Sequence, residues 1–324
     1  MQTEMVTFGE TMVLFEAETE GRFSYVPRFL KKIGGAESNV AIALTKLGHS
    51  TRWMSKVSDD EMGEYVVREI RAEGVQTEYV KKTTEAPTAL YIKERRREDE
   101  TAVYYYRHGS AASTLTKDDL HHPAIESAAV LHLTGITPLL SDSCYEAVLA
   151  SIETARANDV FVSFDPNLRF ALIKKIGEEE ARERLLKIAS LSDLVLPGLD
   201  EAIWLFGEQP EAKLLQHLID NGAKKAVIKN GAEYTLYQDE DGSGQVDSFS
   251  VSRVVDPIGA GDGFAAGVLA GLLEQKSLAE SVKIGAAVGS LVVQSKGDVE
   301  GMPTRVEVDA ILGENEQIYG GVVR

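Results

Sequence analysis

The stretch Asp256–Glu274, DPIGAGDGFAAGVLAGLLE, sets two carboxylates on either side of a glycine-rich turn that runs into a helical pattern. Gly259, Ala260 and Gly261 let successive backbone N–H groups converge on one point, because no bulky side chain stands in the way. The helix that follows brings the positive end of its dipole and its unpaired first-turn N–H groups to the same point. Such a point suits a phosphate. Asp262 is out of place there unless it has a chemical task, since a carboxylate repels the anion the turn attracts. One such task is to take the proton from a hydroxyl that attacks phosphorus. The other reading makes Asp262 only a helix N-cap, a position that favours Asp. Asp256 either orders the turn ahead of Pro257 or sits beside a cation.

A second group of residues points to an acceptor. Tyr91, Tyr105 and Arg107 alternate along two strand patterns, so each strand presents them on one face. Arg169 follows another strand in the motif DPNLR, residues 165–169. Two arginines aimed at one pocket suggest an acceptor that carries a carboxylate, which guanidinium binds in bidentate fashion. In a strongly acidic chain they serve equally well as partners of surface acids. The histidines do not form a metal set. His121 and His122 are adjacent and followed by Pro123, and His108 sits beside Arg107.

Several motifs carry a family resemblance. Asp256-Pro257-Ile258-Gly259-Ala260-Gly261-Asp262, with Phe264, Ala266 and Gly267, resembles the C-terminal signature of the PfkB, or ribokinase-like, carbohydrate kinases. GGAESNVAIALTKLGHS (34–50) with KVSDDEMG (56–63) resembles the N-terminal signature of the same family. Glu37 departs from it where a small residue is usual, and Ser58 where Gly is frequent. The resemblance implies that Asp262 is the general base and that the backbone of Gly259, Ala260 and Gly261 is the anion hole. It also implies ATP and Mg²⁺, and it leaves a monovalent cation open. YYYRHGSAAS (104–113), LHLTGITPLLS (131–141) and DPNLR are similar to one subgroup, the 2-keto-3-deoxygluconate kinases. Carried over, Gly34 and Asn39 meet or support the hydroxyl end of the sugar. Tyr91, Tyr105, Arg107 and Arg169 bind the keto-acid end, and Ile136 approaches from a strand end. Lys229 and Gly231 fall in the nucleotide region, and Asp298 falls in the loop that closes it. Gly267 and Ala287 would let helices approach the adenine. Glu201 stands where the family places a glutamate near Mg²⁺, but Gly198 replaces the accompanying Asn, and a helix-start acid explains Glu201 equally well.

These residues need a scaffold, and 324 residues with 44% hydrophobic content supply one. Short apolar runs at 5–10, 129–136, 160–166, 194–198 and 226–231 alternate with helical patterns at 38–47, 61–73, 144–157, 178–191, 200–206 and 212–221. That alternation predicts an α/β fold, a mostly parallel sheet with helices on both faces and ligands at the carboxyl ends of the strands. Two regions break it: a strand at 11–16, and a hairpin of 88–93 and 101–107 around the charged turn 94–100. By resemblance these are lid strands, inserted from about 11–30 and 88–108 into a single ribokinase-like domain spanning 1–324, and the lid pairs two copies of the chain.

A formal charge of −17, from 34 basic and 51 acidic residues, disfavours nucleic acid and anionic membranes. Cys144 is the only cysteine, so no intramolecular disulfide forms. The N-terminus lacks a basic, then apolar, leader, and no uncharged apolar run reaches membrane-spanning length. A cytoplasmic protein is expected. A dinucleotide-dependent oxidoreductase needs its Gly-rich turn after the first strand, where this chain has a second strand instead. The leading expectation is an ATP-dependent sugar-acid kinase that gives the 6-phosphate of 2-keto-3-deoxygluconate. The alternatives are a fructokinase- or ribokinase-type enzyme and, further off, a non-catalytic sugar-acid sensor.

Overall fold

Neighbouring residues on the central strands bury into opposite cores. Val6 and Phe8, Leu131 and Leu133, and Ala226 and Ile228 enter one cluster. Met5, Val130 and Val227 enter the other. This two-sided burial requires helices on both faces of the sheet. The computed structural model describes residues 3–97 and 100–313. In chain order its strands are β1 (Met5–Phe8), β2 (Met12–Ala17), β3 (Phe29–Gly34), β4 (Thr51–Met54), β5 (Lys56–Ser58), β6 (Lys81–Thr83) and β7 (Leu90–Arg97). They continue with β8 (Glu100–Tyr106), β9 (Val130–Thr134), β10 (Phe161–Asp165), β11 (Leu194–Val195), β12 (Lys225–Asn230), β13 (Tyr234–Asp239) and β14 (Gly242–Asp247).

The main sheet has the order β14-β13-β12-β11-β10-β9-β1-β4. It is parallel from β4 to β12, and β13 and β14 add an antiparallel edge. Helices α1 (Ala36–Lys46), α2 (Glu61–Ala72), α3 (His122–Glu126), α4 (Asp142–Ala157), α5 (Phe170–Ile176), α6 (Glu178–Leu191), α7 (Leu199–Phe206) and α8 (Glu211–Asp220) precede α9 (Ala260–Leu273), α10 (Leu278–Val292) and α11 (Arg305–Leu312). Helices α4, α6, α7 and α8 fill one core. Helices α1, α2, α9 and α10 fill the other. No helix among the described residues is long and apolar enough to cross a membrane.

A separate four-stranded sheet, order β3-β2-β7-β8, forms the lid. Tyr91 on β7 lies opposite Tyr105 on β8, with ring centroids 5.7 Å apart. The next pair, Ile92 and Tyr104, therefore faces the other side of the lid. The predicted turn at 94–100 is too long. Glu94, Arg95 and Arg97 stay paired to Ala102, Thr101 and Glu100 through a bulge, and the Arg96 and Arg97 guanidinium groups both meet Glu100 across the strands. Glu98 and Asp99 of that turn lie outside the described residues, as does 314–324 of the predicted domain.

Gly267 and Ala287, expected to let helices approach the adenine, lie inside the contact between α9 and α10. A Cβ on Gly267 would lie 2.8 Å from the Gly285 Cα. Ala287 is fully buried in the same core. Both positions serve the close packing of α9 on α10.

Candidate active site

Everything with a chemical bearing gathers at the carboxyl ends of the parallel strands, in a cleft of about 830 Å³ roofed by the lid. Its walls include the ends of β1, β9, β10 and β12, the starts of α1, α7 and α9, and the inner face of β7 and β8. Gly34, Asn39, Tyr91, Tyr105, Arg107, Ile136, Arg169, Glu201, Lys229, Gly231, Gly259, Gly261, Asp262 and Asp298 all line it. Ala260 is the exception. Its side chain packs on the α1–α9–α10 core, and its N–H donates to the Pro257 carbonyl at 3.3 Å. The turn thus aims fewer donors outward than predicted, since the Ala260 N–H is used to close it.

Asp262 does not cap its helix. Gly259 holds the N-cap position of α9, and Asp262 is the third helical residue. Its carboxylate turns inward to two amides. The Asn39 Nδ2 donates to Oδ2 at 2.8 Å, and the Asn167 Nδ2 donates to Oδ1 at 3.4 Å. Loss of solvent pushes the Asp262 pKa up to about 7, and the nearby Asp165 and Asp298 push the same way. The Asn39 bond and Arg169 oppose that rise. A carboxyl group poised near neutrality, beside free helix-start N–H groups, is suited to proton transfer next to an anion.

Asn167 sits in the left-handed region at φ 40°, which a short amide side chain tolerates and which aims it at Asp262. The carbonyl oxygens of Asn39 and Asn167 are buried without a partner in the protein. Two acceptors left open beside one carboxylate suit the hydroxyls of a polyol.

Next to this pair stands a charged group from β10 and β12. The Lys229 Nζ donates to the Asp165 Oδ2 at 2.7 Å. Burial alone would lower the Lys229 pKa, but Asp165 and Glu201 overcome it and the value is raised. A Cβ on Gly261 would come within 4.0 Å of that ammonium, so Lys229 borders the anion-binding turn. Each Glu201 oxygen accepts one backbone N–H, from Leu168 at 2.7 Å and from Gly198 at 2.8 Å. Glu201 therefore closes the start of α7 and anchors the DPNLR loop. No cluster of three or more His, Cys, Asp or Glu suited to a metal ion exists among the described residues.

At the lid end, Arg107 reaches Glu10 at 2.7 Å, and Glu10 also accepts from Ser110. Arg107 is thus paired with an acid, one of the two readings its sequence leaves open, although Glu10 is buried and not a surface group. Arg169 has no acid partner among the described residues; its NH1 donates only to the Leu168 carbonyl at 3.2 Å. Tyr91 donates to the Asp298 Oδ2 at 3.0 Å, and burial pushes its own pKa up. Asp298 itself is pushed up to about 6, mainly by burial. This contact sets Asp298 at the lid junction, and Gly34 is required beside it. A Cβ there would meet the Tyr91 Oη at 2.1 Å and the Asp298 Oδ2 at 2.5 Å.

Glu37 is wholly buried beneath this floor. It accepts from Thr134 at 2.6 Å and Thr137 at 2.7 Å, and burial raises its pKa. Ser58 is structural and shares hydrogen bonds with Asp60 and Thr88. His121 stacks on Tyr79, and His122 bonds to Thr154, so neither approaches the cleft.

The family model for pfkB carbohydrate kinases matches residues 2–305. The chain belongs to this family. It is 36% identical over 320 residues to 2-dehydro-3-deoxygluconokinase of Bacillus subtilis (strain 168), covering 98% of each chain. It is 34% identical over 313 residues to Fructokinase-1 of Zea mays, covering 94% of this chain and 96% of the maize protein. Among solved structures, a PfkB protein from Polaromonas sp. JS666 superposes with a TM-score of 0.87 and 37% identity, over 95% of this chain and 99% of that one. A fructokinase with bound ATP from Xylella fastidiosa gives 0.86 and 25%, over 97% and 99%. The fold is therefore ribokinase-like, and this pfkB-family member is a sugar kinase.

Proposed function

We propose that this kinase transfers the γ-phosphoryl group of ATP to the terminal 6-hydroxyl of 2-keto-3-deoxygluconate. The observation that carries the acid reading is Arg169, a cleft cation that forms no ion pair among the described residues, in a chain of net charge −17. A neutral hexose has no use for that charge. An acceptor carboxylate pairs with it and packs between the Tyr91 and Tyr105 rings and Arg107. Arg107, held by Glu10, then acts as a neutralised donor on one side of the acid. The sugar hydroxyls fill the open carbonyls of Asn39 and Asn167, with Gly34 and Ile136 as walls.

In this reading the acceptor chain is long enough to bring its last hydroxyl beside Asp262, which removes the proton as the oxygen attacks in line. The N–H groups at the start of α9 and the Lys229 ammonium receive the charge that spreads over the phosphoryl oxygens. Gly231 borders the nucleotide along the end of β12. Mg²⁺ accompanies ATP and supplies charge neutralisation at the phosphates. The donor set suits an ion held mostly by phosphate and water, since the described residues form no cluster of metal-binding acids and Lys229 already shares Asp165. Phosphorylation of fructose or ribose is the second reading. The Arg107–Glu10 pair favours it, because among the described residues it leaves Arg169 as the arginine of the cleft without an ion pair. We extend the proposal to assembly. Phe23, Tyr25 and Tyr106 are exposed at the lid, which suits pairing with a second copy.

Substituting Arg169→Ala tests the acid reading. The KM for the keto acid should rise by the equivalent of about 1.5–3 kcal/mol, with the KM for ATP nearly unchanged. Equal effects on both substrates would contradict it.

A further inference from the structure

Two carboxylates of the C-terminal loops accept hydrogen bonds from side chains of the lid. Asp256 opens the anion-binding turn, and its Oδ1 accepts from the Ile258 N–H at 3.2 Å. Its other oxygen meets the Lys93 ammonium at 2.5 Å, where both side chains are nearly buried. Lys93 stands two residues after Tyr91 on β7, hence on the same inner face, and Tyr91 holds Asp298. Asp298 in turn backs the turn, since a Cβ on Gly259 would lie 2.5 Å from its carbonyl oxygen. The charges continue outward: Lys93 lies 3.9 Å from Glu16, and Lys32 bridges Glu16 and Glu300 at 2.9 Å each. One lid strand thus touches both segments that shape the phosphate site.

We propose that Lys93 is a positioning residue, a lid-borne ammonium that holds the Asp256–Gly259 turn in its anion-binding shape. A buried carboxylate needs a cation, and this chain draws that cation from the element that covers the acceptor. When the lid lifts, Lys93 leaves with β7 and Asp256 loses its partner. The turn then relaxes, and bound ATP is not presented to water. When the lid seats on an acceptor, the same movement completes the acceptor pocket and the phosphate site. The cation left open beside Asp256 by sequence is supplied by the chain itself. This rests on the kinase reading above, but not on which sugar is the acceptor.

The test uses Lys93→Ala and Lys93→Met with the acceptor that the unaltered protein prefers. Both should lose roughly a hundredfold in kcat, the scale of a misplaced reacting group, with acceptor KM close to that of the unaltered protein. Ethylammonium, small enough for the cavity left by Ala, should restore a large part of kcat in Lys93→Ala and none in Lys93→Met. In an Asp256→Asn background, Lys93→Met should cost little more. Unchanged kcat in Lys93→Met would overturn the proposal. So would a loss that no amine relieves and that acceptor KM shares, because that pattern belongs to a lid that no longer folds. Failure of the acceptor assignment shows separately, as absent keto-acid turnover in the unaltered protein. Mg-ATP affinity by calorimetry then carries the comparison: weaker in both variants if the proposal holds, unchanged if it does not.

Discussion

Replacing Asp262 with Asn should make the protein inactive and more stable at once. The reason is the rise of its pKa from 3.8 to about 7 in the fold. A raised carboxyl pKa means that the native state favours the protonated form more than the unfolded chain does. That contribution is fully present below pH 3.8 and is lost as the pH climbs through about 7. At pH 8 the ionised carboxylate therefore costs the native state about 4 kcal/mol, at roughly 1.36 kcal/mol per unit. Asn carries no such cost. It retains one of the two amide bonds and turns its own NH₂ toward the other donor, a loss of about 1–2 kcal/mol. The net gain is about 2 kcal/mol at pH 8, a rise of a few degrees in Tm. Near pH 5 most of the advantage should vanish, because the cost has by then fallen to about 1–2 kcal/mol, which the lost amide bond offsets. Thermal unfolding of both proteins between pH 5 and 8, alongside ADP release, measures this directly. Turnover should fall at least about a hundredfold. A Tm difference that is zero or negative at pH 8, or independent of pH, would refute the buried, strained carboxylate. Near-normal turnover would remove Asp262 from proton transfer.

The same group sets the acid limb of activity. kcat/KM, which reports the free enzyme, should rise tenfold per pH unit up to about 7 and level off above it, and a flat profile from pH 5.5 to 8 would speak against Asp262 as base. Gly259→Ala should cut kcat about a hundredfold while leaving the circular dichroism spectrum native. Gly259 adopts φ 81°, and the added methyl meets the Asp298 carbonyl, so the turn must move. Unaltered kcat would show that the shape of the turn is not needed.

The parts of the site written in one continuous stretch were legible in advance. The turn and Asp262 sit within seven residues, and their types state their chemistry without reference to the rest of the chain. Five of the six parallel strands were legible as well, because burial on both faces leaves short apolar runs such as 194–196, whereas β4, TRWM, carries two polar residues and was not. Nor were the edge strands β13 and β14. They are only partly buried and rich in Gly, Gln and Asp, so no apolar run marks them. Partnerships were the least visible level. Asn39 and Asn167 reach Asp262 across 223 and 95 residues of sequence, and only the closed sheet brings them together. Asp165 and Asn167 stood in a motif already singled out, DPNLR, but the arginine drew the attention. Glu10 looked like the polar end of a strand, and nothing nearby signalled that it would claim Arg107. Lys93 stood at the edge of a charged run that reads as solvated surface, yet its alternation with Tyr91 on β7 carries it inward to Asp256.

The acceptor itself decides the central claim. A coupled ADP-release assay with Mg-ATP should compare 2-keto-3-deoxygluconate, its galacto epimer, fructose, ribose and adenosine under one set of conditions. The account predicts that the keto acids have the highest kcat/KM and that Arg169→Ala erases that preference. Faster turnover of fructose or ribose, unaffected by Arg169→Ala, would contradict it.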